Sequence, residues 1–86
     1  MKVVYHSRFW EQAARLPDAQ QRKLAKLLEL LQDDPYDDRL HTKKLSPPLE
    51  GHYSFRITRD WRAQFRFLDG STVFCITVKH RKDIYR

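Results

Sequence analysis

The sequence predicts one α+β domain built as a short N-terminal strand, a helical hairpin and then an antiparallel sheet, in the order β-α-α-β-β-β. Three observations predict it. Leu24, Leu27, Leu28 and Leu31 recur at the spacing of one helix face. From Gly51 onward, aromatic and β-branched residues alternate with polar ones, the period of half-buried strands. Asp69-Gly70 then separates two of those runs as a hairpin turn of the kind that needs positive φ.

Taken in order, Lys2-Val3-Val4-Tyr5 reads as the first strand. Ser7 is expected to cap a helix that places Phe9, Ala13 and Leu16 on one side, with Phe9 and Trp10 in the core. Pro17 breaks that helix. Asp18 starts the next, with Gln21 in a capping-box position, and Asp33-Asp34-Pro35 ends it. So short a break between two helices predicts a hairpin. Residues 35–50 read as a loop punctuated by Pro35, Pro47 and Pro48. Eighty-six residues leave room for one core, so residues 1–86 are expected to be a single domain.

A two-residue turn at Asp69-Gly70 pairs Arg66 with Val73, Phe65 with Phe74 and Ala63 with Ile76. For the preceding connection, a three-residue loop Arg59-Asp60-Trp61 makes Ile57 face Ala63 and Phe55 face Phe65. A two-residue loop there would bury Arg62 beside Ile57, which is costly. One sheet face then carries Tyr53, Phe55, Ile57, Ala63, Phe65, Phe67, Phe74, Ile76 and Val78, and is expected to pack on the leucine stripe. The other carries Ser54, Arg56, Thr58, Arg62, Gln64, Arg66, Val73, Cys75, Thr77 and Lys79.

That second face holds four cations, Arg56, Arg62, Arg66 and Lys79, and no carboxylate. The formal charge of +6 is distributed in the same sense: residues 1–50 hold 9 Lys/Arg against 8 Asp/Glu, residues 51–86 hold 8 against 3. Like charges on neighbouring strands repel, and a surface serving solubility alone is usually mixed in sign. An anion-binding face is the expectation, a solubilising one the alternative. The lone Cys75 excludes an internal disulfide and suits a reducing compartment. The N-terminal apolar run is too short for a signal peptide and no stretch approaches a membrane span, so a cytoplasmic protein with no membrane partner is expected. No metal-ligand spacing surrounds Cys75, and no metal or cofactor is expected.

Leu49-Glu50-Gly51-His52-Tyr53-Ser54-Phe55-Arg56-Ile57, Trp61-Arg62-Ala63-Gln64-Phe65 and the tail Val78-Lys79-His80-Arg81-Lys82-Asp83-Ile84-Tyr85-Arg86 carry a resemblance. Together with the order of elements, they resemble the RelE/ParE superfamily of type II toxin-antitoxin toxins, over essentially the whole chain. The resemblance implies a RelE-like fold and, for RelE-type members, cleavage of messenger RNA in the ribosomal decoding site, silenced by a cognate antitoxin. ParE-type members share the fold and poison DNA gyrase instead. Arg62 matches the family's phosphate-binding arginine, and Arg81 a position held by arginine or histidine. Tyr85 looks like the C-terminal tyrosine that contacts the substrate base. Arg56 falls where RelE proteins carry lysine, whereas Ser54 replaces an earlier lysine of that strand. Some relatives place a glutamate before the sheet; Lys43 and Lys44 occupy that neighbourhood here.

The reading is therefore a ribosome-dependent endoribonuclease, with messenger RNA, the ribosome (16S rRNA) and a cognate, acidic antitoxin as partners. Metal-free cleavage uses the ribose 2′-hydroxyl as nucleophile and needs a base, a cation for the phosphorane and an acid for the leaving oxygen. Arg62, Arg56 and Arg81 are the phosphate-binding candidates, and Tyr85 the base-stacking one. His80, the histidine nearest the tail, is an acid-base candidate, although strand alternation points it with Ile76 and Val78. Lys43, Lys44, Arg66, Lys79 and Lys82 are expected to bind RNA backbone. His52 can be simply exposed, Trp61 either core edge or base contact, and Cys75 lacks the companions of a nucleophile. A ParE-like gyrase inhibitor, a non-catalytic nucleic-acid-binding module and a decayed toxin that binds antitoxin alone remain the alternatives.

Overall fold

A computed structural model describes residues 1–84. Strand β1 (Lys2–Tyr5) leads into helix α1 (Ser7–Ala13) and helix α2 (Asp18–Asp33); β3 (His52–Arg56), β4 (Trp61–Asp69) and β5 (Thr72–His80) follow, and a short helix α3 (Arg81–Ile84) closes the described chain. The expected order holds, with additions. The segment read as loop contains a 3-10 turn (Asp38–Leu40) and a two-residue strand β2 (Lys43–Lys44). The five strands lie in the order β1-β5-β4-β3-β2. β1 runs parallel to β5, and the other pairs are antiparallel.

The helices form where the leucine and aromatic periodicities place them, but their ends differ in detail. His6, not Ser7, caps α1, its Nδ1 accepting from the backbone N–H of Arg8 at 3.0 Å. Pro17 precedes α2 without a side-chain cap. Gln21 makes no capping box; its Nε2 donates to the carbonyls of Ala14 (3.0 Å) and Leu16 (2.8 Å), tying α2 to the end of α1. The Ala14 carbonyl is the C-cap group that the end of α1 leaves without a helical partner. Phe9, Leu24, Leu27 and Leu31 are buried with Phe55, Ile57, Ala63 and Phe65 in one cluster, as the two stripes predict. Trp10 departs from expectation: it is 49% exposed, on the outer side of a groove between α1 and α2.

The sheet register differs from the sequence reading in two ways. Between β3 and β4 the connection is four residues, Ile57–Asp60, so Phe55 rather than Ile57 faces Ala63 and Arg56 faces Arg62. Trp61 is the first residue of β4, not a loop residue. The shift is by two, so every side chain keeps its face. Between β4 and β5 the reversal lies at Gly70-Ser71, because Asp69 pairs with Thr72 and its Oδ1 accepts from the Ser71 N–H at 2.8 Å. Positive φ is found at Gly51 (φ 80), not at Gly70.

With irregularities at Leu68 and Ile76, Phe65 faces Cys75 and Phe67 faces Val73. Val73 and Cys75 are therefore the buried residues, while Phe74 and Ile76 are half-buried on the opposite face, reversing the expected assignment. The extra residue Ile76 restores the parity beyond it, so that Val78 faces Ala63 in the core and Lys79 faces Arg62. Past Cys75, β1 has ended, and Gln12 of α1 takes over that edge of β5. Its Oε1 accepts from the Val78 N–H at 2.8 Å and from the Thr77 hydroxyl.

Candidate functional site

Parity and pairing bring three of the expected cations into one row. Arg56 on β3, Arg62 on β4 and Lys79 on β5 stand side by side across neighbouring strands. Arg66, four residues along β4 from Arg62, shares their face and is exposed. Lys43 joins them, since β2 pairs it with Ser54 and so turns it to the same side. Lys44, paired with Tyr53, belongs to the opposite parity and does not join.

Arg56, Arg62, Lys43 and His41 line an open cavity of about 260 Å³. None of these four carries negative charge. Arg56 Nε is buried there without a hydrogen-bond partner among the described residues, an arrangement that costs free energy unless an acceptor arrives. Arg62 is held from behind: its Nη1 donates to the carbonyls of Thr58 (2.5 Å), Arg59 (2.9 Å) and Trp61 (3.2 Å). The β3–β4 connection thus fixes one corner of the guanidinium. A planar fork held in this way is suited to gripping phosphate oxygens.

His41 was not singled out by the sequence. It follows the 3-10 turn, in left-handed backbone conformation (φ 50, ψ 45), with its N–H on the Asp38 carbonyl at 3.2 Å. From this turn, two residues ahead of β2, His41 lines the cavity beside Lys43, Arg56 and Arg62. Neither the left-handed turn nor the two-residue strand leaves a periodic trace in the sequence, and these are what aim the ring. Thr42 anchors the segment through its hydroxyl on the Pro35 carbonyl, at 2.5 Å.

The tail residues divide. His80 pairs with Trp61, stays on the core side of the sheet, and rests against the indole edge-on at 5.4 Å. Its Nδ1 accepts from the Lys82 N–H at 3.3 Å, so it is a packed edge residue away from the cationic row. Arg81 turns back to the β3–β4 connection, its N–H on the Asp60 carbonyl (2.7 Å) and its Nε 3.7 Å from the Asp60 carboxylate. Arg62 and Arg81 therefore meet the same loop from two directions. Lys82 is exposed on α3. Ile84 is buried and shares a cavity with Lys43, Leu45 and Pro48, so α3 leads the chain from β5 towards the segment that follows β2. Tyr85 lies outside the described residues.

Ser54, Gln64 and Thr77 are buried polar residues. Gln64 Nε2 and His52 Nδ1 are 2.7 Å apart, which gives His52 a structural partner. Cys75 is fully buried, and burial pushes its thiol up to about 12, which keeps it protonated and unreactive. Among the described residues, no helix is long and apolar enough to cross a membrane.

A family model described as "ParE toxin of type II toxin-antitoxin system, parDE" matches residues 3–85. No curated protein sequence matches. Among solved structures, the chain is similar to the YoeB/ParE toxin from Agrobacterium tumefaciens, with a TM-score of 0.80 and 21% identity over 94% of this chain and 99% of that one. YafQ from E. coli strain BL21(DE3) superposes with a TM-score of 0.77 and 16% identity, over 99% of this chain and 98% of that one. An archaeal RelE, in a RelE-RelB complex from Pyrococcus horikoshii OT3, gives 0.76 and 19%, over 93% of each chain. At these identities the likeness is one of fold.

Proposed function

The chain belongs to the RelE/ParE superfamily of type II toxin-antitoxin toxins, and from that premise we propose that it is an endoribonuclease that cuts messenger RNA on the ribosome. The observation that carries this reading is the cavity lined by Arg56, Arg62, Lys43 and His41, set in a row of cations that continues to Lys79. Two arginines and two further basic side chains in one concave site fit a phosphodiester. An arginine whose buried Nε has no partner among the described residues is a donor suited to an incoming acceptor.

In the proposed reaction the ribose 2′-oxygen attacks the adjacent phosphorus and the bond to the 5′-oxygen breaks, leaving a 2′,3′-cyclic phosphate and a 5′-hydroxyl. No water molecule or metal ion is needed as nucleophile. Arg62 and Arg56 would hold the non-bridging oxygens, on which charge builds as phosphorus becomes five-coordinate; such preorganised donors are worth most there. Lys43, Lys79 and the exposed Arg66 would bind the flanking backbone. Arg81, engaged with Asp60, would come to the phosphate by exchanging one anionic partner for another. Tyr85 keeps the base-stacking role that the resemblance implies.

A protein partner belongs to the same reading. The archaeal structure is a RelE-RelB complex and another similar structure is a RelB-RelE antitoxin-toxin complex from Methanococcus jannaschii, which supports an antitoxin for this chain. A cationic face without carboxylates calls for an acidic segment on that partner.

A second reading is favoured by one finding, the ParE description of the matching family model: inhibition of DNA gyrase without nuclease activity. Primer extension on a translated messenger RNA, with and without ribosomes, tests the first, comparing wild type with Arg62→Ala. Ribosome-dependent cuts that disappear in the variant are the expected result. Uncut RNA together with blocked supercoiling in a gyrase assay would replace the first reading by the second.

A further inference from the structure

The cations of the cavity leave one task of the proposed cleavage unfilled. Guanidinium groups cannot accept a proton at neutral pH, and an ammonium cannot either. Arg56, Arg62 and Lys43 can therefore stabilise charge without activating the 2′-hydroxyl. The fourth side chain of the cavity is an imidazole, the side chain whose ordinary pKa lies nearest neutrality.

We propose that His41 is the general base that takes the 2′-hydroxyl proton, an assignment that rests on the endoribonuclease reading. Its position supports this from two sides. It lines the same cavity as both arginines and Lys43. It is also held there in the left-handed region, uncommon for a residue with a Cβ and tolerated by histidine and asparagine. Such backbone recurs at functional sites because the surrounding structure holds it. The remaining histidines are engaged elsewhere: His6 caps α1, His52 meets Gln64, and His80 packs on Trp61.

The step balances as follows. The 2′-oxygen gives its proton to the imidazole and its electron pair to phosphorus. The P–O5′ bond breaks, and the leaving 5′-oxygen takes a proton from water. The imidazolium then returns its proton to solvent. Among the described residues, the charged groups facing His41 are Lys43 from β2, Arg56 from β3 and Arg62 from β4, with Asp38 and Arg39 on its own turn.

The test is His41→Asn, which keeps a residue at ease in left-handed backbone but cannot cycle a proton, with His41→Gln as a second variant. Cleavage of ribosome-bound messenger RNA should fall about 10²–10⁴-fold. Affinity for an RNA bearing a 2′-deoxyribose at the cut site should not change. The wild-type rate should drop as pH falls through the imidazole range, and the variants should lack that limb. If His41→Asn cuts at the wild-type rate with the same pH profile, while Arg62→Ala is inactive, the base lies elsewhere and the nuclease reading stands. Loss of RNA affinity equal to the loss of rate would make His41 a binding residue and overturn the assignment. A wild-type protein that cuts no RNA under any of these conditions would overturn both.

Discussion

Arg56 on β3 and Arg62 on β4 are directly opposed across the strand pair, and among the described residues no carboxylate lines the cavity they share. Like charges placed directly opposite on neighbouring strands are destabilising. Arg56 Nε adds the cost of a buried donor without an acceptor among the described residues. A site arranged in this way sacrifices stability for an anion, the usual sign of a surface shaped by function.

Arg56→Met should therefore make the protein more stable while weakening it as a toxin. Removing the repulsion is expected to raise the unfolding free energy by about 0.2–1 kcal/mol, which moves the midpoint of thermal unfolding up by a few degrees in a domain of this size. Calorimetry on the purified variant reads the first effect, and growth on induction reads the second. A variant that is both less stable and equally toxic would contradict this account of the pair.

Anions should stabilise the wild type through the same cavity. A ligand that binds the folded state alone adds RT ln(1 + [L]/Kd) to stability, about 2.7 kcal/mol at a hundredfold excess over Kd. Inorganic phosphate is expected to raise the unfolding midpoint of wild type more than chloride at equal ionic strength. The difference should vanish in Arg56→Met and shrink in Arg62→Met. Equal responses in all three proteins would mean that phosphate acts on the general charge and not on this site.

The sequence lent itself to reading up to the point where parity could shift. Tyr53, Phe55, Ala63 and Phe65 kept their face although the β3–β4 register was wrong, because a slip of two residues conserves parity. Phe74 and Ile76 did not: the reversal at Gly70-Ser71 and the irregularity at Leu68 moved Val73 and Cys75 into the core. Val73, Phe74, Cys75 and Ile76 are all apolar, so composition offers no means of choosing between the two phases. Ile76 then restored the phase, and Lys79 fell beside Arg62 as alternation predicts. His41 was illegible for a different reason. Its aim depends on a left-handed residue and a two-residue strand, both fixed by tertiary contacts.

Gln12 should be worth more to the fold than its half-exposed place on α1 suggests. Its Oε1 satisfies the Val78 N–H and the Thr77 hydroxyl at the edge of β5 that β1 leaves uncovered. Gln12→Met keeps the length of the side chain but leaves those donors unpaired, with an expected loss of about 1–3 kcal/mol. Because the irregularity at Ile76 next to it sets the phase of Lys79, the RNA binding we propose should weaken as well. Urea denaturation and a binding titration read the two effects. An unchanged denaturation midpoint would show that water replaces the amide without loss.

Cys75 should behave as a buried hydrophobe. With its thiol pushed up to about 12 by burial, the native protein is expected to react with a disulfide reagent only as fast as it opens. Cys75→Ser, which puts a hydroxyl into the cluster with Phe65, should destabilise by about 1–3 kcal/mol, and Cys75→Val should be tolerated more readily. Rapid stoichiometric labelling under native conditions would contradict the packing of β5 against β4 at this point.

Acid should loosen the turn that leads to His41 before it unfolds the sheet. Asp37 caps the 3-10 turn, accepting from the Arg39 N–H and pairing with its guanidinium at 2.9 Å, and these bonds hold its carboxyl down at about 2 against an ordinary 3.8. A carboxylate whose folded pKa is depressed contributes stability above its unfolded pKa, and loses it as pH falls through the folded one. The contribution should therefore be complete near neutrality, decline from about pH 4, and be gone below about pH 2. Asp37→Asn retains a good cap without the charge. The stability gap between wild type and this variant should close over that window, and hydrogen exchange at the His41 amide, bonded to the Asp38 carbonyl, should quicken with it. A gap independent of pH would assign the turn's stability to the cap alone.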